Sequence, residues 1–91
     1  MTIGDLTFTQ TCGACPEQYD VYRGAEQVGY VRLRFGGLSA ECPDACGEQV
    51  YYHEFPDDLK GRFEDDDERE KFLAACAAAI EARAGQAENR A

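Results

Sequence analysis

The stretch Val28-Gly29-Tyr30-Val31-Arg32-Leu33-Arg34-Phe35 decides the fold class. β-Branched and aromatic residues dominate it, and its apolar positions recur at every second residue, the period of a half-buried strand. Successive side chains of a strand point to opposite faces, so Val31, Leu33 and Phe35 share one side and Tyr30, Arg32 and Arg34 the other. The first side is expected to be core. Upstream, Arg23-Gly24-Ala25-Glu26 reads as a turn from a strand through Tyr19-Asp20-Val21-Tyr22. Downstream, Gly36-Gly37 offers a tight turn into a short strand over residues 38–42, and residues 49–55 give another, rich in tyrosine. These segments predict a three- to four-stranded antiparallel meander, to which Leu6-Thr7-Phe8-Thr9 adds an edge strand.

The texture changes once, near Pro56. A polar loop over residues 57–62 leads to a helix that Asp65 can cap, with Glu68 three residues on completing a capping box. Asp66 and Asp67 then lie in the first turn, where the helix dipole favours negative charge. Phe72, Leu73, Cys76 and Ile80 form its apolar stripe, at helical spacing. The alanines at 74, 75, 77, 78 and 79 favour helix, and Gly85 is a natural stop. The fold class expected is therefore α+β, with one C-terminal α-helix packed on an antiparallel sheet. Residues 1–85 form a single domain and residues 86–91 a frayed tail.

The chain's 91 residues suffice for one modest core and not for two. Eighteen acids against nine bases give a formal charge of −9, which repels phosphate backbones and anionic lipid and so excludes direct nucleic-acid or membrane binding as an expectation. Arg32 and Arg34 are the nearest approach to a basic patch, and two guanidiniums do not make one. Nothing reaches the roughly 18 apolar residues of a membrane span, and the first ten residues lack the basic and apolar regions of a signal peptide. A cytoplasmic setting is expected.

Five cysteines divide into one and four. Cys76 falls on the apolar stripe of the helix and reads as a buried small hydrophobe. Cys12-Gly13-Ala14-Cys15 and Cys42-Pro43-Asp44-Ala45-Cys46 form two pairs, each on a short turn able to aim two sulfurs at one ion. Four thiolates from Cys12, Cys15, Cys42 and Cys46 would make a closed structural zinc site. The plain alternative is reduced cysteines at turns and strand ends. A thioredoxin-like role for Cys12 and Cys15 fits poorly, because such a pair opens a helix and Pro16 leads into a strand. His53, the only histidine, reads as a strand residue beside Tyr51 and Phe55, or as a substitute zinc ligand.

The acids Asp57, Asp58, Glu64, Asp65, Asp66, Asp67, Glu68 and Glu70 stand against only Lys60, Arg62 and Arg69. They are out of register with an EF-hand loop, whose ligand positions Lys60 and Arg62 would occupy. The remaining readings are a capped, solvated helix start, or a carboxylate array that imitates phosphate and engages a basic protein partner.

Cys42-Pro43 followed by Cys46-Gly47 is similar to a zinc-ribbon knuckle with one residue inserted. The strings Cys15-Pro16-Glu17-Gln18-Tyr19-Asp20, Val28-Gly29-Tyr30-Val31-Arg32-Leu33-Arg34 and Gly61-Arg62-Phe63 together resemble small uncharacterised acidic proteins of bacteria, phages and prophages. That resemblance implies a phage or mobile-element setting and no activity. Two functional expectations follow. One is a non-enzymatic inhibitor or adaptor that engages a basic, nucleic-acid-handling protein. The other is a zinc-ribbon-like structural module within a larger assembly.

Overall fold

A computed structural model describes residues 1–12 and 16–88. Its single sheet is antiparallel throughout and follows chain order: β1 (Thr2–Ile3), β2 (Leu6–Cys12), β3 (Glu17–Arg23), β4 (Glu26–Arg34), β5 (Gly37–Cys42) and β6 (Glu48–Glu54). One helix, α1 (Asp66–Glu88), packs against β4, β5 and β6. The α+β class and the C-terminal helix are as expected. The sheet has six strands rather than three or four.

The two additional strands lie at the start. β2 runs past Thr9 to Cys12, with a register shift between Gln10 and Cys12 that lets it stay paired to β3. It is not the edge, because β1 pairs with it through Thr2↔Thr7 and Ile3↔Leu6. A two-residue strand carries no period that a sequence could display.

Alternation on β4 holds for Val31 and Leu33, both buried, but not for Phe35, which is 69% exposed. Phe35 and Gly36 both have positive φ, 51° and 75°, and form the two-residue loop between the paired Arg34 and Gly37. Such a loop has the backbone sense that matches strand twist, so the chain turns one residue earlier than Gly36-Gly37 suggests. The core face is completed in register: Val31 lies between Tyr19 and Ala40, and Leu33 beside Leu38.

Leu73, Cys76, Ala77 and Ile80 of α1 are buried on that face, and Phe72 is half-buried at its margin. Each fully buried aliphatic side chain contributes about 1.5–3 kcal/mol relative to exposure. Gly29 on β4 admits the helix closely, since a Cβ there would lie 2.7 Å from Cδ1 of Ile80. The helix does not stop at Gly85 but continues to Glu88. A helical glycine costs only about 1 kcal/mol against alanine, too little to end a helix in alanine-rich sequence. Residues 86–88 are therefore helical, and residues 89–91 of the expected tail lie outside the described residues. Among the described residues no helix is long and apolar enough to cross a membrane.

Candidate functional site

The chain leaves β6 through a turn at residues 57–60, in which the Leu59 amide donates to Asp57 Oδ1 at 2.9 Å and the Lys60 amide to the Asp57 carbonyl at 3.1 Å. The turn is held to the β4–β5 loop by the Gly36 amide, which donates to the Lys60 carbonyl at 2.8 Å. Asp65 then caps α1 by accepting from the Glu68 amide at 2.8 Å, as expected. The return arm differs by one residue. Glu68 Oε1 accepts from the Glu64 amide at 2.9 Å rather than from that of the cap itself. Lys60 Nζ, 2.8 Å from the same oxygen, draws the 57–60 turn against the helix start. Lys60 and the Glu64 amide hold the Glu68 carboxyl below its ordinary range, against a small opposing effect of burial.

All eight acids of the run are thus gathered at one end of the molecule, but they do not all serve the same purpose. Asp57 and Asp65 satisfy backbone amides, and Glu68 and Asp66 pair with Lys60 and Arg69. Asp58, Glu64, Asp67 and Glu70 are exposed and make no side-chain hydrogen bond or ion pair among the described residues. Those four carboxylates are available to a partner.

The helix start is fixed from beneath by Glu17, which is only 3% exposed. Its carboxylate accepts from Arg69 Nε at 2.6 Å, from the Phe63 amide at 3.0 Å and from the Tyr19 hydroxyl. Burial alone would raise the Glu17 pKa, but Arg69, Tyr19 and the Phe63 amide together outweigh it, and the carboxyl is held below its ordinary value. Burial, and then the bond to Glu17, push the Tyr19 hydroxyl upward, and the bond to Glu17 raises the Arg69 guanidinium against the opposing effect of burial, so every member keeps its pairing form near neutrality. The sequence reading missed this network. Its signal is parity: Glu17 is in phase with Tyr19 and Val21, the core positions of β3.

Two large apolar side chains stand in the open at this same end. Leu59 is 81% exposed at the tip of the 57–60 turn, and Phe35 is 69% exposed on the loop to which that turn is bonded. Neither follows from hydrophobic periodicity, which assigns apolar residues to the core. Below them, Phe55, Phe63 and Phe72 form an edge-and-stack cluster that His53 joins at 4.7 Å from Phe55 and 4.8 Å from Phe72.

Of the expected zinc ligands, Cys15 and the side chain of Cys12 lie outside the described residues. Cys42 faces the core and Cys46 faces solvent, across a turn closed by Asp44 Oδ1 on the Cys46 amide at 2.9 Å. Burial raises the Cys42 thiol above its ordinary pKa, and the nearby Arg83 charge only partly counters it. Pairing also places the Cys12 backbone in the row of Gln18, Arg32 and Ser39. Cys42 lies three strands away and three residues along, on the order of 17 Å from strand spacing and rise. Among the described residues no three His, Cys, Asp or Glu side chains are placed to hold one metal ion. Cys76 is fully buried, and burial pushes its thiol up to about 12.

Comparison of the chain with protein-family models, with curated proteins and with solved structures returned no match.

Proposed function

We propose that this chain is a small non-enzymatic interaction protein that engages a basic, nucleic-acid-handling protein through its acidic end. One observation carries the reading. Among the described residues Asp58, Glu64, Asp67 and Glu70 are carboxylates without partners; Asp58 adjoins the exposed Leu59 in the turn bonded to the loop of the exposed Phe35, and Lys60 ties that turn to the helix start that carries the other three. Unpaired charge steers and selects a partner of opposite sign, whereas desolvated apolar anchors supply most of the affinity of a protein interface. A merely solvated helix start needs the first and has no use for the second. The array also rests on Glu17, Arg69 and Lys60, so it is presented without much loss of side-chain freedom. Its role as an inhibitor or adaptor in a phage or mobile-element setting belongs to the same proposal and rests on the resemblance of the three strings quoted above.

A zinc ion on Cys12, Cys15, Cys42 and Cys46 enters this proposal only as a stabiliser, and the separation of the strand ends argues against a centre shared by both pairs.

The test uses a partner captured by the immobilised chain and then purified, with its affinity measured at low and high salt. Asp58→Lys, Asp67→Lys and Glu70→Lys combined remove no contact of the fold. They should weaken binding by at least tenfold, about 1.4 kcal/mol, and abolish its salt sensitivity. Phe35→Ser with Leu59→Ser should weaken it comparably with salt sensitivity retained. Unchanged affinity after charge reversal would remove the acidic end as the binding surface.

A further inference from the structure

The face of the sheet opposite α1 carries two arginines beside the acids Asp20, Glu41 and Glu54, which share its phase. Arg32 and Arg34 occupy alternate positions of β4, so their side chains leave the same face with Cα atoms about 7 Å apart. They border a shallow cleft of about 380 Å³ that Phe35, Gly37, Ser39, Gln49 and Tyr52 complete. Among the described residues no carboxylate lines it, in a chain whose net charge is −9. Among the described residues neither arginine has an ion-pair partner, and Arg34 instead lies 4.8 Å over the Phe35 ring. The register sets these groups in a row, Arg32 opposite Ser39 and Ser39 opposite Tyr52. Gly37 makes room for the tyrosine: a Cβ there would meet the Tyr52 hydroxyl at 2.8 Å and Cε1 at 3.1 Å. Tyr52 therefore leans across Gly37 toward Arg34, and it is 52% exposed.

We infer that this cleft is a binding site for a mononucleotide. Two guanidiniums within reach of one another suit a phosphate, whose oxygens take paired N–H donors. An exposed aromatic ring beside them offers a stacking surface to any base, since every base has a π-face. The Gln49 amide adds a donor and an acceptor for a base edge. The size falls at the lower end of small-ligand pockets, about 300–1,000 Å³. Overall charge selects the monomer over the polymer. A strand brings another phosphate about every 3.4 Å, and beyond the two arginines it meets the field of a strongly acidic protein. The cleft meets the acidic end at Phe35, which borders both, but the groups assigned to the nucleotide, Arg32, Arg34, Gln49 and Tyr52, take no part in that surface.

The test is a titration of the labelled full chain followed by amide and side-chain NMR, with adenosine monophosphate, inorganic phosphate and a six-nucleotide single strand as probes. Adenosine monophosphate should give saturable shifts confined to β4, β5 and β6, and bind at least about fivefold tighter than phosphate. Arg32→Gln with Arg34→Gln should weaken both probes by tenfold or more, whereas Tyr52→Leu should weaken the nucleotide and leave phosphate unchanged. Far-UV circular dichroism and a thermal melt check that each variant is folded. Saturation absent at about 10 mM, or shifts spread outside the cleft, would overturn the inference. So would nucleotide binding no tighter than phosphate. Tighter binding of the six-nucleotide strand would also overturn it, in favour of a strand-binding face.

Discussion

Glu17 shows how a single buried charge is tolerated. A lone carboxylate so enclosed would be neutralised by protonation, yet three donors and the Arg69 charge keep it ionised. The depressed folded pKa means that its stabilising contribution is fully present above the unfolded value near 4.3 and is lost as pH falls through the folded one. Glu17→Gln leaves Arg69 without its main partner and should cost about 3 kcal/mol near neutral pH. Urea unfolding of both proteins between about pH 7 and pH 2 should show that difference shrinking in acid as the wild type protonates. A constant difference would mean that the charge does not matter.

Among the elements, α1 and β4 meet where a side chain is missing. Gly29→Ala places a methyl 2.7 Å from Ile80 Cδ1, and should destabilise the protein by about 1–3 kcal/mol. Ile80→Val removes that Cδ1. The double variant should be more stable than the sum of the single costs predicts, with a coupling of at least about 0.5 kcal/mol in an unfolding cycle. At this scale much was legible beforehand. The apolar stripe of α1 and the alternation of β3 and β4 were readable because long elements repeat their period many times. Three features were not. β1 is too short to repeat anything, Phe35 left the strand because a turn with positive φ intervened, and Gly85 was carried by the helix around it. The acidic run and its Asp65 cap were legible as local chemistry. The anchoring of that run by Glu17 was not, because the partners Glu17 and Arg69 are 52 residues apart.

For the whole molecule, the register separates chemical groups that the sequence leaves intermixed. Both ends of the sheet carry cysteines, Cys12 at the end shared with Leu33 and Leu38, Cys42 and Cys46 at the other. A chelator should therefore leave the melting temperature unchanged within about 2 °C, well under the shift that 1 kcal/mol would produce in a domain of this size. A large fall on chelation, with stoichiometric zinc in the untreated protein, would require the strand ends to be rearranged. The acids of residues 57–70 collect about the start of α1, whereas Arg32 and Arg34, without an ion-pair partner among the described residues, lie on the opposite face of the sheet.

The chain-order meander has a consequence for how the molecule forms. Every strand pairs with its immediate neighbour in sequence, so each hairpin closes a short loop and the sheet can grow in one direction. Synthesis at the ribosome delivers the strands in that same order, and none must wait for a distant partner. Only α1 arrives late, and docking it brings Arg69 back to Glu17 across 52 residues. Until then the apolar face of a completed sheet is uncovered, which makes the interval before the helix docks the moment of greatest exposure to aggregation.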